Sequence, residues 1–123
     1  MPCYSTETAS HFATLTPVKP GFCIRELLGN AEGENPATFN IFRIDKGPPL
    51  SHDKGPFHMF GTVTEGELVL EDFRKQETVH VKAGDIFRVA QGTPLRWSSP
   101  EGCKGTCIHL KPPGDQEYLN GIY

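Results

Sequence analysis

The chain carries Thr64-Glu65-Gly66-Glu67-Leu68-Val69-Leu70, then Val79 to Lys82, then Ala83-Gly84-Asp85-Ile86-Phe87 and Gly92-Thr93-Pro94, and this run decides the fold. Its apolar pieces are too short for helices and are separated by residues that turn a chain. Gly66 permits φ values that other residues resist, so a turn between two strands is expected there. Gly84-Asp85 offers the same freedom, with a carboxylate able to hydrogen-bond the turn backbone.

Working outward from this run, the same texture continues. Thirteen glycines and eleven prolines interrupt the chain too often for an amphipathic helix of three turns. Strands are expected at His11 to Thr16, Phe22 to Leu27, Thr38 to Ile44, His58 to Thr64, Glu67 to Phe73, Thr78 to Val81, Ile86 to Ala90, Leu95 to Ser98 and Gly105 to Lys111. Each is rich in β-branched or aromatic residues and bounded by Gly, Pro, Asn or Asp. Many short strands with regular turn signals predict an all-β architecture of antiparallel strands, a sandwich or a barrel. Gly29 to Pro36 reads as a loop. Pro112 to Tyr123 reads as a tail that packs through Tyr118, Leu119, Ile122 and Tyr123.

A length of 123 residues supports one domain over 1–123 with a real core and is short for two. The net charge of −3, with no run of Lys or Arg, gives no electrostatic footprint for nucleic acid or an anionic membrane. No apolar run approaches the roughly 20 residues needed to span a bilayer, and Met1 to Pro20 lacks the pattern of a secretory leader. A soluble, cytoplasmic protein is expected. Cys3, Cys23, Cys103 and Cys107 are too irregularly spaced for a disulfide framework and read as free thiols. A Cys103–Cys107 metal pair would need two further ligands that the spacing does not supply.

From Gly47 to Trp97 the chain resembles the paired motifs of the cupin superfamily, in particular small RmlC-like proteins of one domain. The resemblance implies a jelly-roll barrel. It also implies a metal site, held by two histidines and a glutamate from the first motif and a histidine from the second. Here the ligand places are altered. Counting back from Gly66 puts Met59 in the glutamate place and, at the longer spacing, His52 and Lys54 in the histidine places. Counting on from Gly84 puts Ala90 in the proline place, Leu95 in the last histidine place and Ser99 in the terminal asparagine place. The opening Gly47 lies one residue nearer to His52 than the pattern wants.

A first-row metal needs at least three converging nitrogen, oxygen or sulfur donors. Met59 and Leu95 are poor substitutes and Lys54 is a competing cation, so no metal and no cofactor are expected. The rival is that His58 and His109 join His52 as replacement ligands, as a metal-dependent oxygenase would require.

Alternation along strands places Met59, Gly61 and Val63 on one inner wall and Leu95, Trp97 and Ser99 on the other. An apolar, aromatic cavity suits an aromatic or polyketide-like guest, although Trp97 and Leu95 also read as simple core. His52 is the leading acid or base, with a solvated loop histidine as the plain alternative. Lys54 would hold developing negative charge, and His58 is a second catalytic candidate. Met59, Leu95, Trp97 and His109 are expected to contact substrate, though His109 between Ile108 and Leu110 has an open orientation. Arg43 and Arg88 are charged positions in apolar strands, either anchoring an anion or pairing outside. His80 reads as outward. Ser51, His52 and Asp53 cannot form a relay, because neighbours on an extended chain point opposite ways.

Two functional classes follow. One is a cofactor-free enzyme doing proton transfer on a small carbonyl-bearing or polyketide-like molecule, as an isomerase, cyclase, dehydratase or decarboxylase. The other is a non-catalytic small-molecule-binding or accessory barrel. A homodimer is expected from cover of exposed strand edges, with Phe12 to Leu28 as the covering segment.

Overall fold

The computed structural model describes residues 3–123. Its organising element is β5 (Met59–Asp72), a strand of 14 residues that belongs to two sheets. The first half of β5 lies between β9 (Cys103–His109) and β7 (Ile86–Val89), and its second half between β8 (Leu95–Ser98) and β6 (Glu77–Lys82). Beyond β9 the first sheet continues through β3 (Ala37–Ile44), β2 (Phe22–Asn30) and β1 (Pro17–Lys19), while β4 (Leu50–His52) edges the second sheet beside β8. All these pairings are antiparallel.

Two separate strands joined at Gly66 are therefore replaced by one bent strand. The register on β9 slips between Val63 and Glu65, and Gly66 follows with φ +76°. A Cβ at Gly66 would lie 2.1 Å from the Gly102 carbonyl oxygen, so the corner needs both the left-handed backbone and the missing side chain. Gly84, at φ +93°, makes the β6–β7 turn as expected. The Asp85 carboxylate accepts from the Lys82 backbone N–H at 3.0 Å.

The inner faces of the two sheets pack together. Phe22, Phe42, Ile44, Val63 and Val89 meet Leu68, Leu70, Leu95 and Trp97 in one buried cluster, closed by Ile122 from the tail. Phe22 and Trp97 meet edge to face at 5.6 Å.

At the N-terminus His11 to Thr16 is not a strand. Ala9–Ala13 forms a short helix, α1. Phe12 and Leu15, three residues apart, reach the same side and cover Cys23 and Ile41 on the outer face of the first sheet. Arg25 donates to the carbonyls of His11 and Thr14 at 3.3 and 2.6 Å, filling acceptors that a helix end leaves open. The segment from Phe12 thus covers the chain's own sheet, and β1 and β2 pair with each other. Strand β2 also runs to Asn30, two residues into the expected loop, and β4 is a strand that the sequence reading did not separate.

Candidate functional site

Between the sheets lies a cavity of about 80 Å³. Its walls are mostly hydrocarbon and aromatic: Phe22, Phe42, Met59, Phe87, Leu95 and Trp97 all contribute. Gly61 faces the same interior, where the Phe87 ring occupies the space its side chain would need. Phe57 and Tyr118 close the mouth and also line an outer groove of about 510 Å³ that includes Gln91, Lys111, Asp115 and Glu117.

The tail shapes this mouth. The Ser51 and Tyr123 backbones exchange hydrogen bonds of 2.6 and 2.9 Å, and Tyr123 also donates its hydroxyl to Asp53. Ile122 is buried, and a 3₁₀ turn at Glu117–Gly121 lies over the opening. Lys111 is 5 % exposed, pairs with Glu26 at 2.9 Å, and stands 5.6 Å over the Tyr118 ring. The other Glu26 oxygen accepts from Gly114 N–H, so this pair ties the start of the tail to β2.

Two imidazoles reach the cavity wall. His52 lines both the cavity and the groove. Its Nδ1 accepts from the Lys54 backbone N–H at 3.3 Å, which leaves Nε2 as the proton-bearing nitrogen of the neutral ring. Nε2 faces Gly121, where a Cβ would come within 2.6 Å. His109 is 2 % exposed, and its Nδ1 has no hydrogen-bond partner among the described residues. Its Nε2 lies 3.3 Å from Cys107 Sγ, and its ring lies 4.4 Å from Phe57 and 5.7 Å from Tyr118. Burial, with the nearby Lys111 ammonium, pushes His109 down to about 3. Burial alone pushes the Cys107 thiol up to about 12.

No protein-family model matches the chain, and no curated protein matches it. Solved structures do. Ectoine synthase from P. lautus superposes with a TM-score of 0.68 at 18% identity, over 85% of this chain and 76% of that one. An RmlC-like cupin from Shewanella frigidimarina gives 0.66 at 19%, over 85% and 86%. The chain has the cupin fold. The EutQ protein of Clostridium difficile, at TM-score 0.63 and 10% identity over 83% and 79% of the two chains, agrees with this.

Against the cupin motifs, His52, Met59 and Leu95 all line the one cavity, while Lys54 is exposed. His58 directs Nδ1 to the Gln91 backbone N–H at 3.1 Å and does not line the cavity. It therefore does not join His52 and His109. Among the described residues no three His, Cys, Asp or Glu side chains are grouped as a metal site. Beside the two imidazoles the lining offers the Cys107 thiol, a thioether and an isobutyl group, and three donors are not gathered at one point as a first-row metal ion requires.

The arginines stay outside. Arg43 pairs with Asp45 at 3.2 Å and approaches Cys23 Sγ at 3.3 Å on the outer face of the first sheet, and Arg88 is exposed. Neither lines the cavity. The physical reason is parity: Arg43 lies between inward Phe42 and Ile44, and Arg88 between inward Phe87 and Val89. His80 is also outward, 3.7 Å from Glu67. Met59, Leu95, Trp97 and His109 do face the cavity. Phe57, Cys107 and Tyr118 were not among the sequence candidates. The alternation Cys103, Gly105, Cys107, His109 carried a usable signal, because it puts His109 on the face of two buried thiols. Those thiols, four residues apart on a strand, are about 13 Å from each other, so they form no metal pair. Cys3 is exposed, and Cys23, Cys103 and Cys107 are buried free thiols.

Proposed function

We propose that this cupin binds a small, uncharged organic molecule inside its barrel. The observation that carries the reading is an apolar cavity of about 80 Å³ at the places where the cupin motifs would put metal ligands. That volume is about half of the roughly 150 Å³ cavity that takes benzene or xenon, so the guest has only a few heavy atoms. A cavity of this size supports a guest smaller than an aromatic or polyketide-like molecule. The candidates for charge stabilisation, Lys54, Arg43 and Arg88, face away from the cavity, which favours binding over catalysis.

The test uses xenon as an apolar probe, followed by its NMR shift. Wild-type protein should show a saturable xenon shift, and Met59→Trp, which fills the cavity, should lose it. Absence of a saturable shift in wild type would sink the proposal.

A second reading, proton transfer to or from the guest, is favoured by the position of His52 on both the cavity and the groove. Its neutral ring offers Nε2–H as a proton donor. Deuterium incorporation into acetone in heavy water, faster than in buffer and lost in His52→Gln, would promote this reading. A rate equal to buffer would retire it.

A further inference from the structure

Part of the barrel's outside is apolar and uncovered. On the outer face of the first sheet the register sets Leu28 opposite Phe39, Phe39 opposite Ile108, Ile108 opposite Phe60, and Phe60 opposite Arg88. Five strands thus present four apolar side chains and one cation in a single cross-strand row. Ile86 stands in the next row, opposite Thr62. The N-terminal segment covers the neighbouring part of this face at Cys23 and Ile41, yet Leu28 stays 37 % exposed, Phe39 43 %, Phe60 45 % and Ile86 83 %. Exposed apolar residues scattered singly are ordinary, but a contiguous row of them marks an interaction surface.

The area suits a second copy of this chain. These four residues leave about 400 Å² of apolar surface in water, taking about 200 Å² for a fully exposed large apolar residue. Each half of a stable dimer gives about 800 Å², roughly two-thirds of it apolar, so about 500 Å² is wanted. Half-buried Ile108 and the methyls of Thr62 and Thr106 lie between the four and supply much of the remainder.

The charges are self-complementary in one orientation. Arg88, at the β7 end of the row, has no ion-pair partner among the described residues, and neither do Glu32 and Glu34 in the exposed loop that follows Leu28 at the other end. A two-fold axis along β9 sets Ile108 against its own copy, Phe39 against Phe60, and Arg88 beside the Leu28 end with its acidic loop. An axis at right angles would set Arg88 against Arg88.

We infer that the outer face of the first sheet, centred on Phe39, Ile108 and Phe60, is the interface of a two-fold homodimer in which Arg88 of each copy meets the Glu32–Glu34 loop of the other. The association runs through a sheet face and leaves the cavity mouth, on the far side of β9's inward residues, out of the contact.

Sedimentation velocity of the full-length chain reads this directly. Wild type should be a dimer at micromolar concentration. Phe60→Glu should raise the dimer dissociation constant about thirtyfold or more, as expected near the centre of an interface, while the buried Trp97 keeps its wild-type fluorescence. Arg88→Glu, a surface exchange that leaves the core untouched, should raise it about tenfold, and adding Glu32→Arg with Glu34→Arg should recover the loss. Val79→Glu, at a residue 56 % exposed on β6 and away from this face, should leave the dimer intact. The inference is overturned if wild type is monomeric, if the dimer survives Phe60→Glu as edge-to-edge strand pairing would allow, if Val79→Glu dissociates it equally, or if the charge exchange fails to recover association.

Discussion

Strand β9 presents the same kind of side chain inward at its two ends, yet the two ends are finished differently. At the first, the Cys103 thiol sits against the Ser99 hydroxyl and the Ile44 backbone, and Ser99 donates to the Glu67 carbonyl at 2.6 Å. Phe22 and Trp97 seal that end edge to face. At the other, Cys107 meets His109, one ring nitrogen has no hydrogen-bond partner among the described residues, and the tail covers the opening. A barrel selected only for stability would satisfy both ends alike. The difference marks the Cys103 end as the one finished for stability and the His109 end as the one beside the mouth of the proposed binding cavity.

This division is open to measurement. Trp97→Ala should give the largest effect, a loss of about 3–5 kcal/mol in urea unfolding, because it deletes a large buried aromatic side chain. A loss under about 1 kcal/mol would mean that the sealed end is not the stabilising one.

Acidification should single out the mouth. An unfolded histidine titrates near about 6.5, whereas folded His109 is pushed down to about 3. The unfolded chain therefore takes up the proton first. The stability contributed by neutral His109 is complete above about pH 6.5 and is lost as pH falls toward about 3, at roughly 1 kcal/mol per pH unit. Urea titrations at pH 7 and pH 5 should show a steeper loss for wild type than for His109→Phe. Equal slopes would place that imidazole in contact with solvent.

The smallest effect is expected at Ser99→Ala, about 1 kcal/mol for one neutral hydrogen bond to backbone. It should leave xenon binding unchanged, because Ser99 does not line the cavity. A variant that weakened binding would blur the contrast between the ends.

Much of the barrel was legible because its signals are local. Strand positions from Phe22 onward follow from short β-rich runs and turn residues, and the Gly84-Asp85 turn formed as expected. The α1 segment was misread because Phe12 and Leu15 suit either period over so short a run, and a sheet face elsewhere in the chain chose the helical one. Gly66 was read correctly as a left-handed position but wrongly as a strand end. Its φ is a local property, whereas continuity of β5 depends on partners more than twenty residues away in sequence.

By itself the sequence determined the β texture, the glycine-dependent corners and the presence of Met59 and Leu95 at places where the cupin resemblance implies glutamate and histidine, since these reside in residue identity and period. Only the tertiary structure decided which histidines line the cavity. His58 turned to Gln91, His109 turned inward, and a distant tail roofed the mouth. Side-chain facing depends on register, and register is set by bulges and cross-strand partners that no stretch of chain specifies alone.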